Sequence, residues 1–209
     1  MNILIVGAST EYSIGYQLAE HLRQLGHIVT CASRSGRLGV ACDISNPGDV
    51  RRLLARVKPD VIIHAAGVFS SPGTIGKMNQ WGKVRAHLDV KGFGALVLAN
   101  AAVAAKRPCI FIVLGGRKIS ADLGFANYTI GNGALWALVQ FFAGHGAIRS
   151  YFVDLPFVTD STMYRAFVRA TGDKPKGVAA ATVAQAVGRI LNGKYKNGSR
   201  VVVGKRGGS

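Results

Sequence analysis

Acid is what this chain has least of. Its 209 residues carry 10 Asp and Glu against 26 Lys and Arg, a formal charge of +16, and from residue 160 onward ten basic residues face only Asp160 and Asp173. Such a surface favours anionic partners: phosphorylated small molecules, acidic carrier proteins or nucleic acid. No basic run is dense or aromatic-interleaved enough to spell a nucleic-acid motif, so nucleic acid stays open without being indicated, and a solvated basic face is the plainer account. Cysteine is also scarce. Cys31, Cys42 and Cys109 lie far apart inside or beside apolar runs, with no C-x-x-C pair, which reads as three buried small residues and neither a disulfide framework nor a metal site. Long apolar runs are missing too, as is a basic leader before a hydrophobic stretch, so the expectation is a cytoplasmic protein with no membrane partner.

Apolar residues make up 49% of the chain, enough for a substantial core, and one domain over 1–209 is expected. Its organising stretch is Asn2 to Leu18. An Ile/Leu/Val run reaches Gly7, turns through small and polar residues, and then takes helical spacing at Ile14, Leu18, Leu22 and Leu25. Strand, loop and helix in that order make a phosphate cradle: Gly7 permits a sharp turn, and Gly15 lets helix backbone approach a pyrophosphate that the helix N-terminus favours. A plain βα connection has the same glycines, so the loop alone does not decide.

Further strands are expected at His27–Ala32, Gly39–Asp43 and Val61–Gly67, with a helix over Pro47–Val57. Ser33-Arg34 follows the second strand, where an acid would hold ribose hydroxyls and an arginine accommodates a 2′-phosphate; Arg34, with Arg37 as rival, therefore favours NADP(H) over NAD(H). Ala65, Ala66 and Gly67 are small enough for a flat ligand to pass. His64 reads as a packed strand histidine.

The order G-A-S-x5-G, S-R, D-I-S and H-A-A-G resembles the short-chain dehydrogenase/reductase family, and the likeness runs to the C-terminus. Ser13-Ile14-Gly15 is placed much as in that family's divergent enoyl reductases. The resemblance implies an α/β fold, a single Rossmann-type doubly wound domain with about seven parallel strands and helices on both faces. Its cofactor half spans about 1–105, its catalytic half about 106–203, and 204–209 is a loose tail. It also implies cofactor contacts from Gly7, Ser9, Ser13, Ile14, Gly15, Ser33, Arg34, Asp43, Ile44, Ala65, Ala66 and Gly67.

Beyond residue 80 the family pattern frays. A helix is expected over Trp81–Ala104, with Asp89 of L-D-V-K-G where the family has asparagine. After the strand Cys109–Leu114, Gly115 and Gly116 stand where a substrate-binding serine is usual; Ser120 is the nearest substitute. Tyr128 opens Y-T-I-G-N, which resembles the family's Y-x-x-x-K with Asn132 in the lysine's place. Asparagine can bond a ribose hydroxyl yet has no charge to stabilise a tyrosinate, whose ordinary pKa is about 10. Lys91, Arg117 or Lys118 would have to supply a cation from elsewhere in space. A strand over Ala147–Leu155 leads to Pro156, with Phe157 where the family has glycine, and Val158, Thr159 and Ser161 follow as contacts near the nicotinamide and phosphates. A helix over Thr162–Ala170, a final helix at Val183–Leu191 and a strand at Arg200–Val203 complete the expected order.

Two functional expectations follow. One is an NADP(H)-dependent oxidoreductase of atypical site, less suited to NAD(H), with Tyr128 as acid, Asn132 on the ribose and Asp89 as an orienting group, acting on a small-molecule or carrier-bound carbonyl or alcohol. The other is a non-catalytic NADP(H)-binding sensor or basic interaction scaffold. Trp136, Val139, Phe141 and Phe142 make the Tyr128 helix apolar on more than one face, which predicts a dimer or tetramer. No metal is expected.

Overall fold

A computed structural model describes residues 1–69, 81–116, 126–146 and 148–204. Its elements run β1 (Asn2–Val6), α1 (Ile14–Gln24), β2 (Ile28–Ser33), β3 (Val40–Ala41), α2 (Pro47–Val57), β4 (Val61–His64) and α3 (Trp81–His87). A π-helical turn, Leu88–Phe93, then leads into α4 (Gly94–Ala104), β5 (Ile110–Gly116), α5 (Ala126–His145) and β6 (Arg149–Leu155). The chain ends with β7 (Phe157–Val158), α6 (Thr162–Thr171), β8 (Gly177–Val178), α7 (Ala180–Leu191) and β9 (Arg200–Val202).

Seven strands form one parallel sheet in the order β3-β2-β1-β4-β5-β6-β9, with Ile5 opposite both Cys31 and Ile63. The order reverses between β1 and β4. That reversal leaves a crevice outside their C-terminal ends, because the connections after the two strands depart to opposite sides. Continuous apolar strands are what a sheet covered on both faces demands. Ile3, Ile5, Ile63, Ile112 and Val153 pack under α1 and α7, while Leu4, Ile62, Phe111 and Val113 pack with α2, α4 and α5. Each such side chain removed from water contributes about 1.5–3 kcal/mol.

Helix starts follow the local chemistry. Ser13, Asn46 and Ser161 cap α1, α2 and α6, each side chain accepting a backbone N–H of the first turn. Lys58 and Gly172 end α2 and α6 in the left-handed region.

The structure departs from the sequence expectations in four places. The third strand shrinks to Val40–Ala41, and the fourth stops at His64, where the chain turns along the crevice. The single helix expected over Trp81–Ala104 is broken by the π turn, whose extra residue is marked by the Gly94 N–H reaching back five residues to the Asp89 carbonyl. Gly94 sits so close to the core that a Cβ there would meet Ile44 Cδ1 at 2.8 Å. A small second sheet pairs β7 with β8, a link between Phe157-Val158 and Gly177-Val178 that no local sequence signal announces. On α5, the core absorbs Val139 and Phe142 while Trp136 packs edge-to-face on Phe152, leaving Phe141 62% exposed. Among the described residues no helix is long and apolar enough to cross a membrane.

Candidate active site

The first bank of the crevice is the glycine loop. Gly7 has φ +104°, and a Cβ on it would stand 2.4 Å from the Ala66 backbone nitrogen, so only glycine lets β1 leave the sheet here. Its N–H and that of Ala8 both donate to the Ala32 carbonyl. A Cβ on Gly15 would meet the Gly7 carbonyl oxygen at 2.9 Å, which brings the start of α1 directly over the end of β1. No acid occupies the first turn of α1, and its positive end faces the loop. Ser9 is exposed, Ser13 caps the helix, and Ile14 packs partly against the core. The glycines, the acid-free helix N-terminus and the small Ala65-Ala66-Gly67 rim fit a pyrophosphate-containing nucleotide.

Loop and α6 are tied across the crevice mouth. Thr10 Oγ1 lies 3.0 Å from Thr162 Oγ1, the Thr162 N–H donates to the Tyr12 carbonyl, and the Arg165 guanidinium sits 3.8 Å over the Tyr12 ring.

At the end of β2, Ser33 is buried and its hydroxyl accepts the Gly36 N–H, while Arg34 is exposed. Asp43 accepts both the hydroxyl and the N–H of Ser45, and these bonds, with a smaller contribution from Arg34, hold its carboxyl below the usual carboxylate range. Ile44 points into the core against Gly94, so only its backbone is left for a ligand.

The second bank gathers around Tyr128, which is only 9% exposed. His87 packs edge-to-face on its ring, centroids 4.4 Å apart, and Lys91 Nζ lies 6.0 Å from the ring centroid. Lys91 is 6% exposed and donates to Asn132 Oδ1. Asn132 Nδ2 donates in turn to the Gly116 carbonyl at 3.4 Å. The aliphatic stem of Lys91 runs between two glycines: a Cβ on Gly131 would approach its Cδ to 3.2 Å, and one on Gly67 its Cε to 3.6 Å. Burial pulls the ammonium down from 10.5 to about 8. Behind it, His64 Nε2 donates to the Val90 carbonyl at 3.0 Å. Burial holds His64 and His87 neutral, each lowered from 6.5 to about 4.

Of the expected site residues, the structure brings Tyr128 and Asn132 together, and adds Lys91 as the cation beside them. Asn132 is engaged by Lys91 and Gly116, which differs from the expected place on a ribose. Asp89 is not brought in: its carboxylate is 54% exposed and faces Arg85 at 3.8 Å on the outer side of the π turn. Gly115 admits no side chain, since a Cβ there would stand 2.3 Å from the Phe152 ring. Pro156 follows β6 at the crevice edge, but Val158 is buried in the core, and Thr159 directs both its N–H and its hydroxyl to the Val178 carbonyl. Ser161 is taken by its cap on α6, and Phe157 turns to Phe167 and Tyr164. Ser120, Arg117 and Lys118 lie outside the described residues. One sequence signal does single out Lys91: with Ala95, Leu98 and Ala102 it occupies the buried positions of one helical stripe, where a lysine needs a reason.

Comparison with known proteins agrees with this fold. Residues 3–91 match the NAD dependent epimerase/dehydratase family. No curated protein matches the chain. Among solved structures, the protein lin1944 from Listeria innocua is 22% identical over 97% of this chain and 99% of its own, with a TM-score of 0.80. A 3-ketoacyl-(acyl-carrier-protein) reductase from Brucella melitensis, complexed with NADH, is 17% identical over 96% and 95%, with a TM-score of 0.78. A short chain dehydrogenase from Burkholderia cenocepacia J2315, in complex with NADP, is 19% identical over 97% and 88%, also at 0.78. These likenesses show that the chain shares the Rossmann-type α/β fold of the solved dehydrogenase and reductase structures.

Proposed function

We propose that the chain is an NADP(H)-dependent oxidoreductase acting on a carbonyl or the matching alcohol, with Tyr128 as its acid–base residue. The observation that carries this reading is the convergence of a phenol and a buried ammonium beside Gly67, on the crevice that the glycine loop enters from the other side. Gly7, Gly15, Ala65, Ala66 and Gly67 would cradle the cofactor, and Arg34 at the end of β2 favours its 2′-phosphate. Bound there, the cofactor would supply hydride. Tyr128 gives its phenolic proton to the carbonyl oxygen and recovers one from solvent; in the alcohol direction it takes the proton up. Its low exposure keeps bulk water from competing for the same oxygen. The basic side chains of α6, Arg165 and Arg169, suit a substrate that carries phosphate or rides on an acidic carrier. Phe93 at the end of the π turn, Leu96 on α4 and Phe141 on α5 remain exposed and support a homo-oligomer, for which sedimentation is the check.

A second reading has one observation of its own. Neither Gly115 nor Gly116 brings a hydroxyl to the substrate oxygen, and the Phe152 ring closes the space at Gly115. A non-catalytic NADP(H)-binding protein follows from that. Tyr128→Phe separates the two: loss of NADPH oxidation by about a hundredfold over a panel of carbonyl compounds, with NADPH binding intact, supports the enzyme. Binding without turnover in either form supports the sensor.

A further inference from the structure

The Tyr128 cluster holds one ammonium, one amide and two neutral histidines among its described residues, and the positions of ammonium and amide are its unusual feature. In Y-x-x-x-K the charge would come from α5 itself, one helical turn beyond the tyrosine. Here that position is Asn132, and the charge comes from the π turn facing it, 41 residues earlier in the chain. Three features hold it there. Gly131 and Gly67 leave room for the lysine stem, the Gly94–Asp89 bond of the π turn sets the phase that turns Lys91 inward and Asp89 outward, and Asn132 receives the ammonium while bracing itself on Gly116. Among the described residues no carboxylate pairs with Lys91, and burying an ammonium in that way is costly where a structural role needs none of this.

We propose that Lys91 is the positioning cation of Tyr128, anchored by Asn132, so that lysine and amide have changed places relative to the Y-x-x-x-K arrangement. Its functional meaning rests on the oxidoreductase reading above; its electrostatics do not. Among the described residues, the groups facing Lys91 are Tyr128 from α5, His87 from α3 and His64 from β4 through the Val90 carbonyl, and both histidines are neutral above pH 6. Lys91 is therefore the charge among them that favours tyrosinate, and ammonium and phenol lose their protons as a coupled pair.

The test is a near-ultraviolet titration of tyrosinate in the full chain without cofactor, using Tyr128→Phe to identify one transition among the six tyrosines. With Lys91 Nζ 6.0 Å from the centroid of the Tyr128 ring, Lys91→Met is expected to move the Tyr128 transition up by about one pH unit or more. Lys91→Arg keeps it near its original place, and the exchange Lys91→Asn with Asn132→Lys brings it back down. Lys91→Gln, nearly the same size, gives the same comparison if Lys91→Met does not fold. A Tyr128 transition that stays put in Lys91→Met or Lys91→Gln overturns the proposal; one that moves in these but does not return in the exchange overturns the claim of changed places. NADPH titrations run alongside keep the two readings apart. A chain that ignores NADPH yet shows the shift loses the oxidoreductase reading and keeps the pair. A chain that binds NADPH without the shift does the reverse.

Discussion

The glycine loop and the Tyr128 cluster line opposite banks of one crevice and are built in different ways. The first is local: β1, the turn at Gly7 and the capped start of α1 are contiguous, and backbone contacts at 2.4 to 2.9 Å leave no alternative to glycine. The second is assembled from β4, the π turn, α3 and α5, and each polar group in it depends on a partner distant in sequence. The proposed cofactor grip is thus a property of one supersecondary unit, whereas the proposed proton handling is a property of packing. Under the proposed exchange of Lys91 and Asn132, that difference explains how the loop stays regular while the charge beside the tyrosine comes from another element.

Breaking the first bank has the largest effect. Gly7→Ala forces a Cβ into the Ala66 backbone at φ +104°, and it is expected to abolish NADPH binding and lower stability by about 3 kcal/mol or more, read from the urea midpoint. The second bank shows itself in pH. His64 and His87 have folded pKa values of about 4 against an ordinary 6.5, so below about pH 6.5 the unfolded chain takes up protons that the folded chain refuses. Stability falls as pH drops from about 6.5 to about 4 and levels off below. His64→Gln is expected to flatten that limb, and an unchanged limb contradicts the neutral burial of His64. The smallest effect sharpens the contrast between neighbours two residues apart: Asp89→Ala, on the outer side of the π turn, is expected to leave turnover within about threefold, against the hundredfold loss from Tyr128→Phe.

This contrast also measures what the sequence could disclose. β1, α1 and α2 were legible because hydrophobic period and glycine spacing are local signals, the parallel order followed from the family resemblance, and the structure adds caps at Ser13 and Asn46 where those helices start. The π turn was not legible. Its extra residue costs a single backbone register and leaves the apolar pattern of Leu88 to Ala104 nearly helical, so Lys91 can be read onto the stripe of Ala95, Leu98 and Ala102 while the turn that carries Asp89 away from Tyr128 leaves no mark in the sequence. The β7–β8 pairing was hidden for a related reason, since two-residue strands carry no period, and it redirected Val158 and Thr159 away from the crevice. Lys91 stood among three cations that could have served, and only the fold sets it beside Asn132 and Tyr128.

The most direct measurement is equilibrium binding of NADPH and NADH to the full chain by calorimetric titration, with Arg34→Ala alongside. The account predicts that NADPH binds at least about tenfold more tightly than NADH and that Arg34→Ala erases most of the difference, since one charge-assisted phosphate contact is worth about 1.5–3 kcal/mol. A folded chain that binds neither coenzyme at millimolar concentration contradicts it.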